Sequence, residues 1–164
     1  MSRDDAGCPL ASPLVGERKT DPMDVERVLA GLNAALPLQY RSALHYALTA
    51  GSVSGFSFQA LGDRMWPFAE AELHDARLLV EKIVGLGGDP TTDIAPMRWS
   101  ADPGEAVAAL IEGEDECLAA LHDIIPYTGQ EPRSEALEHL LEHLILRKQN
   151  QVDFLRRASR PRAG

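Results

Sequence analysis

The sequence predicts an all-α chain folded as a four-helix bundle with one long connection in the middle, and three observations carry that prediction. Aromatic residues are only 5% of the 164, while Ala and Leu recur throughout, a composition that favours helices over the β-branched and aromatic mix of sheets. Four segments repeat apolar residues at alternating three- and four-residue spacing, the mark of a helix with one buried face. The breaks between them run short, long, short, whereas a simple up-down bundle needs only short loops. With 45% hydrophobic residues, a chain of this length buries one core without a second domain.

Residues 1–20 hold Gly, Pro, Ser and charge without periodicity and read as a disordered arm. Asp21-Pro22 then supplies an N-cap acceptor and a proline at the first helical position, with Asp24 at the positive end of the helix dipole. The first helix should run from there to about Ala50, stopped by Gly51. The second should cover about 56–86 and end at Gly87-Gly88, with Pro90 beyond. Pro67 predicts a kink near Arg64–Trp66 or a late start of the regular helix, and Pro37 poses the same problem in the first helix.

Residues 88–103, broken by Pro90 and Pro96, form the long crossover. Asp102-Pro103 with Glu105 starts a third helix over about 103–125, ended by Pro126 and Gly129. The fourth runs from Ser134, capped by its own hydroxyl, to Ala158. The bundle is thus placed at 21–158, and residues 159–164 remain as a basic tail without an amphipathic fifth helix.

A formal net charge of −9 disfavours an electrostatic hold of the body on nucleic acid or an anionic membrane. The basic C-terminal end, Arg156, Arg157, Arg160 and Arg162, is the one place where nucleic acid would be touched, and solvated disorder is its ordinary reading. Cys8 and Cys117, the two cysteines, give neither a disulfide framework nor a metal motif and suit a reducing cytoplasm. No stretch reads as a signal peptide or reaches the length of a membrane span.

The core stripes carry the chemistry. They read Leu32, Leu36, Gln39, Ala43, Tyr46, Ala50 on the first helix and Leu61, Met65, Phe68, Glu72, Asp75/Ala76, Leu79, Ile83 on the second. The third gives Val107, Ile111, Glu114, Leu118, Leu121, Ile125, and the fourth Leu137, Leu141, Leu144, Lys148, Gln151, Leu155. Each is interrupted near its middle, and bundle packing brings the midpoints to one level. Gln39, Glu72, Asp75, Glu114, Lys148 and Gln151 should therefore converge, and three buried carboxylates need a cation to neutralise them.

These features make the chain resemble the ferritin superfamily, closest in pattern to bacterioferritins, with Dps-like proteins as near relatives. The resemblance covers about residues 25–157 and rests on Leu32-Asn33 with Gln39 and Tyr46, on Glu72 through Val80-Glu81-Lys82-Ile83 to Leu86-Gly87-Gly88-Asp89-Pro90, and on Gln151-Val152-Asp153-Phe154-Leu155. It implies a ferritin-like fold, iron handling and self-association. It also implies a di-iron site built from one Glu on each of two helices and a Glu-x-x-His pair on each of the others. By position Gln39 replaces the first Glu and Glu114 keeps the other. The pairs become Glu72-x-x-Asp75 and Lys148-x-x-Gln151, and no Glu-x-x-His occurs in the chain. The haem methionine position falls at Leu73, so haem is not expected.

Two readings compete for this cluster. In one, Glu72, Asp75 and Glu114 bind a cation, with a carbonyl oxygen from Gln39 or Gln151 and the Tyr46 hydroxyl nearby, an oxygen shell suited to iron, manganese, magnesium or calcium. Such a protein would oxidise ferrous iron. In the other, the preferred one, the Lys148 ammonium takes the cation's place among Glu72 and Glu114, since a fixed positive charge repels a metal, and the protein is structural, shell-forming or binding. His139 and His143, spaced i, i+4, could grip a surface metal, but a solvated or subunit-contact face is the ordinary reading. His45, His74 and His122 are isolated and carry no ligand role. A second apolar stripe, Tyr40, Leu44, Leu48 with Trp66, Ala69, Leu73, Val80, Val84, predicts a homodimer through the first two helices.

Overall fold

The computed structural model describes residues 21–53 and 58–160, in which the order is α1 (Val25–Ser52), α2 (Gln59–Gly85), α3 (Pro103–His122), a 3₁₀ turn (Ile125–Tyr127) and α4 (Pro132–Ala158). The described residues contain no strand, and the four helices pack as a bundle with the crossover between α2 and α3. The expected arm over 1–20 and the end of the tail, 161–164, lie outside the described residues.

Helix starts depart from expectation at two places. Asp24, not Asp21, caps α1, its side chain accepting from the Arg27 amide at 3.1 Å, while the Asp21 carbonyl accepts from the Gln130 amide at 2.8 Å. Gly129 sits between them at φ 77°, and a Cβ there would lie 2.5 Å from the Asp21 carbonyl oxygen, so this contact needs glycine. Helix α4 begins at Pro132 after Glu131. Ser134 does not cap it; its hydroxyl is buried without a partner.

The expected end of α2 is observed. Gly87 takes φ 84°, its amide reaches the Val84 carbonyl at 3.0 Å, and the Gly88 amide reaches Ile83 at 2.9 Å, the paired closure of a helix on a left-handed glycine. Helix α2 is continuous through Pro67 from Gln59, so the late start is not seen, and α1 is continuous through Pro37. Helix α3 stops at His122, short of the expected 125, because Ile125-Pro126-Tyr127 tightens into the 3₁₀ turn.

The crossover is stitched along α1. Asn33 donates to the Asp89 carbonyl at 3.2 Å and accepts from the Thr91 amide at 2.9 Å, and the Pro37 carbonyl accepts from the Ala95 amide at 3.1 Å. At its far end Arg98 pairs with Glu112 of α3, and Ser100 donates to Glu105 at 2.7 Å.

The apolar core lies in two blocks. One is built from Leu32, Leu36, Leu79, Ile83, Leu121, Leu141 and their neighbours. The other is built around Tyr46, Met65, Val107, Leu110 and Leu155, where Phe68 meets Tyr46 and Phe154 edge to face. Polar side chains occupy the level between the two blocks.

Candidate functional site

Every residue that interrupts a core stripe is buried: Gln39, Glu72, Asp75, Glu114 and Lys148 show no exposure, and Gln151 shows 3%. They are positioned by the same three- and four-residue spacing that places the leucines around them. Lys148 Nζ is the hub, 2.5 Å from Glu72 Oε2, 2.9 Å from Glu114 Oε2 and 3.2 Å from the Ser42 hydroxyl. Gln39 Nε2 donates to Glu72 Oε2 at 2.6 Å and to the Glu72 carbonyl at 2.8 Å, and the Cys117 thiol points at Gln39 Oε1 from 3.6 Å. Thus four helices meet through one ammonium, two carboxylates, an amide and a hydroxyl.

Asp75 is buried at the same level but engages a different partner. Arg147, 28% exposed in its side chain, donates Nε to Asp75 Oδ2 at 3.0 Å and approaches Oδ1 with Nη2. Sequence reasoning missed Arg147 and Ser42. Arg147 precedes Lys148 at the edge of the α4 stripe, where a long side chain reaches inward while its helix position faces out. Ser42 is a small polar residue three positions after Gln39 on α1, a signal available at the sequence level.

The electrostatics follow from burial and pairing. Burial alone would lower the Lys148 pKa, but the Glu114 and Glu72 carboxylates outweigh it and hold the ammonium above the ordinary lysine range. Burial pushes the Glu114 carboxyl up, with Lys148 pulling the other way. Tyr46 is pushed well above its ordinary value by burial and then by Glu114 and Glu72, so its hydroxyl stays protonated. Burial pushes the Cys117 thiol up to about 11, so it is a thiol at neutral pH.

The donor set does not fit a dinuclear metal centre. One oxygen of each glutamate is held by the ammonium, Asp75 is held by Arg147, and none of the six buried stripe residues is a histidine; a metal would stand beside a fixed positive charge in low dielectric. Among the described residues no three His, Cys, Asp or Glu side chains group to hold a metal ion. His139 and His143 lie exposed on the outer face of α4. Besides the Ser134 hydroxyl and Asp75 Oδ1, which Arg147 approaches, four buried oxygens nevertheless lack a hydrogen-bond partner among the described residues: Glu72 Oε1, Glu114 Oε1, Gln151 Oε1 and the Tyr46 hydroxyl.

The apolar stripe on α1 and α2 is largely open, with Leu44, Leu48, Trp66, Leu73 and Val84 exposed. Ala69, by contrast, packs in the core at 5% exposure. Leu73, the haem-methionine position of the resemblance, is 61% exposed on this face. Among the described residues no helix is long and apolar enough to cross a membrane.

Comparison with known proteins agrees with this architecture. A ferritin-like, diiron-carboxylate protein from Bacillus anthracis superposes with a TM-score of 0.78 at 27% identity, over 84% of this chain and 98% of that one. The Rhodobacter capsulatus bacterioferritin, described with a metal-free dinuclear site and heme iron, gives 0.72 at 22% identity over 80% and 82%. A dodecameric thioferritin, the bacterioferritin-related protein from Bacteroides fragilis, gives 0.73 at 20% over 83% and 86%. No curated protein matches the chain. The sequence profile of the Ferritin family, a ferritin-like domain, matches residues 29–159. The chain belongs to the ferritin-like family.

Proposed function

We propose that this protein is a ferritin-like, shell-forming or binding protein whose bundle centre is closed by Lys148 and which is not an efficient ferroxidase. The observation that carries this reading is the Lys148 ammonium, fully buried and within 2.9 Å of both Glu72 and Glu114. An ammonium there does what a bound cation would do for two buried carboxylates, permanently and without redox chemistry. The expected outcome of mixing Fe(II) with the protein in air is oxidation no faster than in buffer, followed by absorbance; a protein-dependent burst overturns the reading.

A second reading has one observation in its favour. The four unpartnered oxygens of Glu72, Glu114, Gln151 and Tyr46 form an oxygen-rich set of the kind hard cations accept, which would make the protein an iron-binding ferroxidase or storage protein. The same burst experiment separates the two.

Self-association goes with either reading. The exposed apolar face of α1 and α2 supports a homodimer through those helices, and the Bacteroides fragilis relative is a dodecamer. Leu73→Glu is expected to shift the mass in solution to that of smaller species, measured by light scattering, while changing chain stability by less than about 0.5 kcal/mol, because the side chain is 61% exposed within the chain. An unchanged mass places the contact elsewhere. The buried thiol of Cys117 and the lack of a Cys-based framework fit a cytoplasmic setting.

A further inference from the structure

We propose that His139 and His143 form a grip for one divalent cation of the zinc, copper or nickel class on the outer face of α4. The two lie four residues apart on an uninterrupted helix, Pro132–Ala158, so both rings stand on one ridge with their Cβ atoms about 5–6 Å apart. At that spacing two imidazole nitrogens reach one ion at about 2.0–2.1 Å each without moving the backbone. The backbone is held from behind. Leu137, Leu141, Leu144 and Ile145, on the inner side of the same turns, are buried in the core at 5% exposure or less. Both histidines are exposed, so an ion reaches them from solvent.

The surrounding charge favours a cation. Between Arg133 and Arg147, α4 carries Glu135, Glu138 and Glu142 but no lysine or arginine, and Arg147 is turned inward onto Asp75. Glu135 stands one turn before His139 and Glu142 three residues after it, and both are exposed. Neither these two glutamates nor the two histidines take part in an ion pair among the described residues. Their negative field therefore draws a cation toward the rings, with no fixed positive charge to oppose it.

The donor type sets the selectivity. Imidazole suits zinc, copper and nickel, whereas magnesium and calcium take oxygen ligands. No third His, Cys, Asp or Glu joins the pair in a metal-holding group among the described residues, so water completes the coordination. These rings face away from the Lys148 centre, and the proposal is independent of how that centre is read.

Calorimetric titration of the full chain with Zn(II) tests the grip. One equivalent per chain is expected, with an affinity that falls about tenfold or more in His139→Ala and again in His143→Ala, each taken singly, the loss of a contact of about 1.4 kcal/mol. Excess Mg(II) should leave the zinc isotherm unchanged. Because both side chains are exposed, each variant should unfold at the parent's midpoint. Absence of zinc binding overturns the proposal, as does full affinity in either variant or displacement by Mg(II). If a variant does not fold, ring NMR signals of the wild type decide: zinc shifts confined to His139 and His143 support the grip, and shifts at other histidines without these two overturn it.

Discussion

Lys148→Met is expected to destabilise the protein by about 3–5 kcal/mol, the cost of removing one partner from a buried ion network. The methionine fills most of the space of the lysine stem but leaves Glu72 Oε2 and Glu114 Oε2 facing each other with no exposure and only the Gln39 amide as compensation. The loss should depend on pH with a definite sign. Without the ammonium that pulls it down, the Glu114 carboxyl, pushed up by burial, holds its proton more tightly folded than unfolded, so its contribution is present at acid pH and is lost as pH rises above about 4.5. Urea unfolding at pH 5 and pH 8 should therefore show the larger deficit at pH 8. Adding Glu72→Gln and Glu114→Gln should restore much of the stability, since the network would then be neutral throughout. A deficit below about 1 kcal/mol in the single variant would mean that Lys148 balances nothing.

The reverse change should convert the site. Lys148→Glu with Gln151→His writes Glu-x-x-His into α4 and places a third carboxylate and an imidazole beside Glu72 and Glu114, a set that suits iron or manganese. In chelator this variant is expected to melt well below the parent, because three carboxylates then share a buried centre. Mn(II) at about 100 times its dissociation constant should return about 2.7 kcal/mol by mass action, a rise of roughly 5–10 °C for a domain of this size. Thermal unfolding with and without Mn(II) checks both halves. A melting temperature indifferent to metal would show that these four helices do not bring their midpoints close enough to share an ion.

Spacing made the centre legible. Gln39, Glu72, Glu114 and Lys148 could be assigned to one level from the sequence because each breaks a three- and four-residue apolar stripe, and helical geometry leaves a stripe residue few places to go. Partners that depend on side-chain reach or distant chain were not legible. Asp75 lies on the stripe, yet its partner is Arg147, which reaches inward from the edge of α4. Asp21 has every local feature of a helix cap, and Asp24 takes the role because Gln130, more than a hundred residues away, claims the Asp21 carbonyl. Likewise Asn33 and Pro37 gave no sign that they hold the crossover, since no periodicity links a helix to an irregular stretch of chain. Cap chemistry also misled at Ser134, whose hydroxyl is buried rather than turned to a free amide.

The central claim is that the Lys148 ammonium occupies the place a cation would take between Glu72 and Glu114. Anaerobic titration of the metal-free wild-type protein with Fe(II), counting bound iron per chain by calorimetry, tests it most directly. The account predicts no tight equivalent at the bundle centre, with the same isotherm in Glu72→Gln. Saturation near two irons per chain, abolished by Glu72→Gln, would contradict it and establish the oxygen-rich cluster as a working metal site.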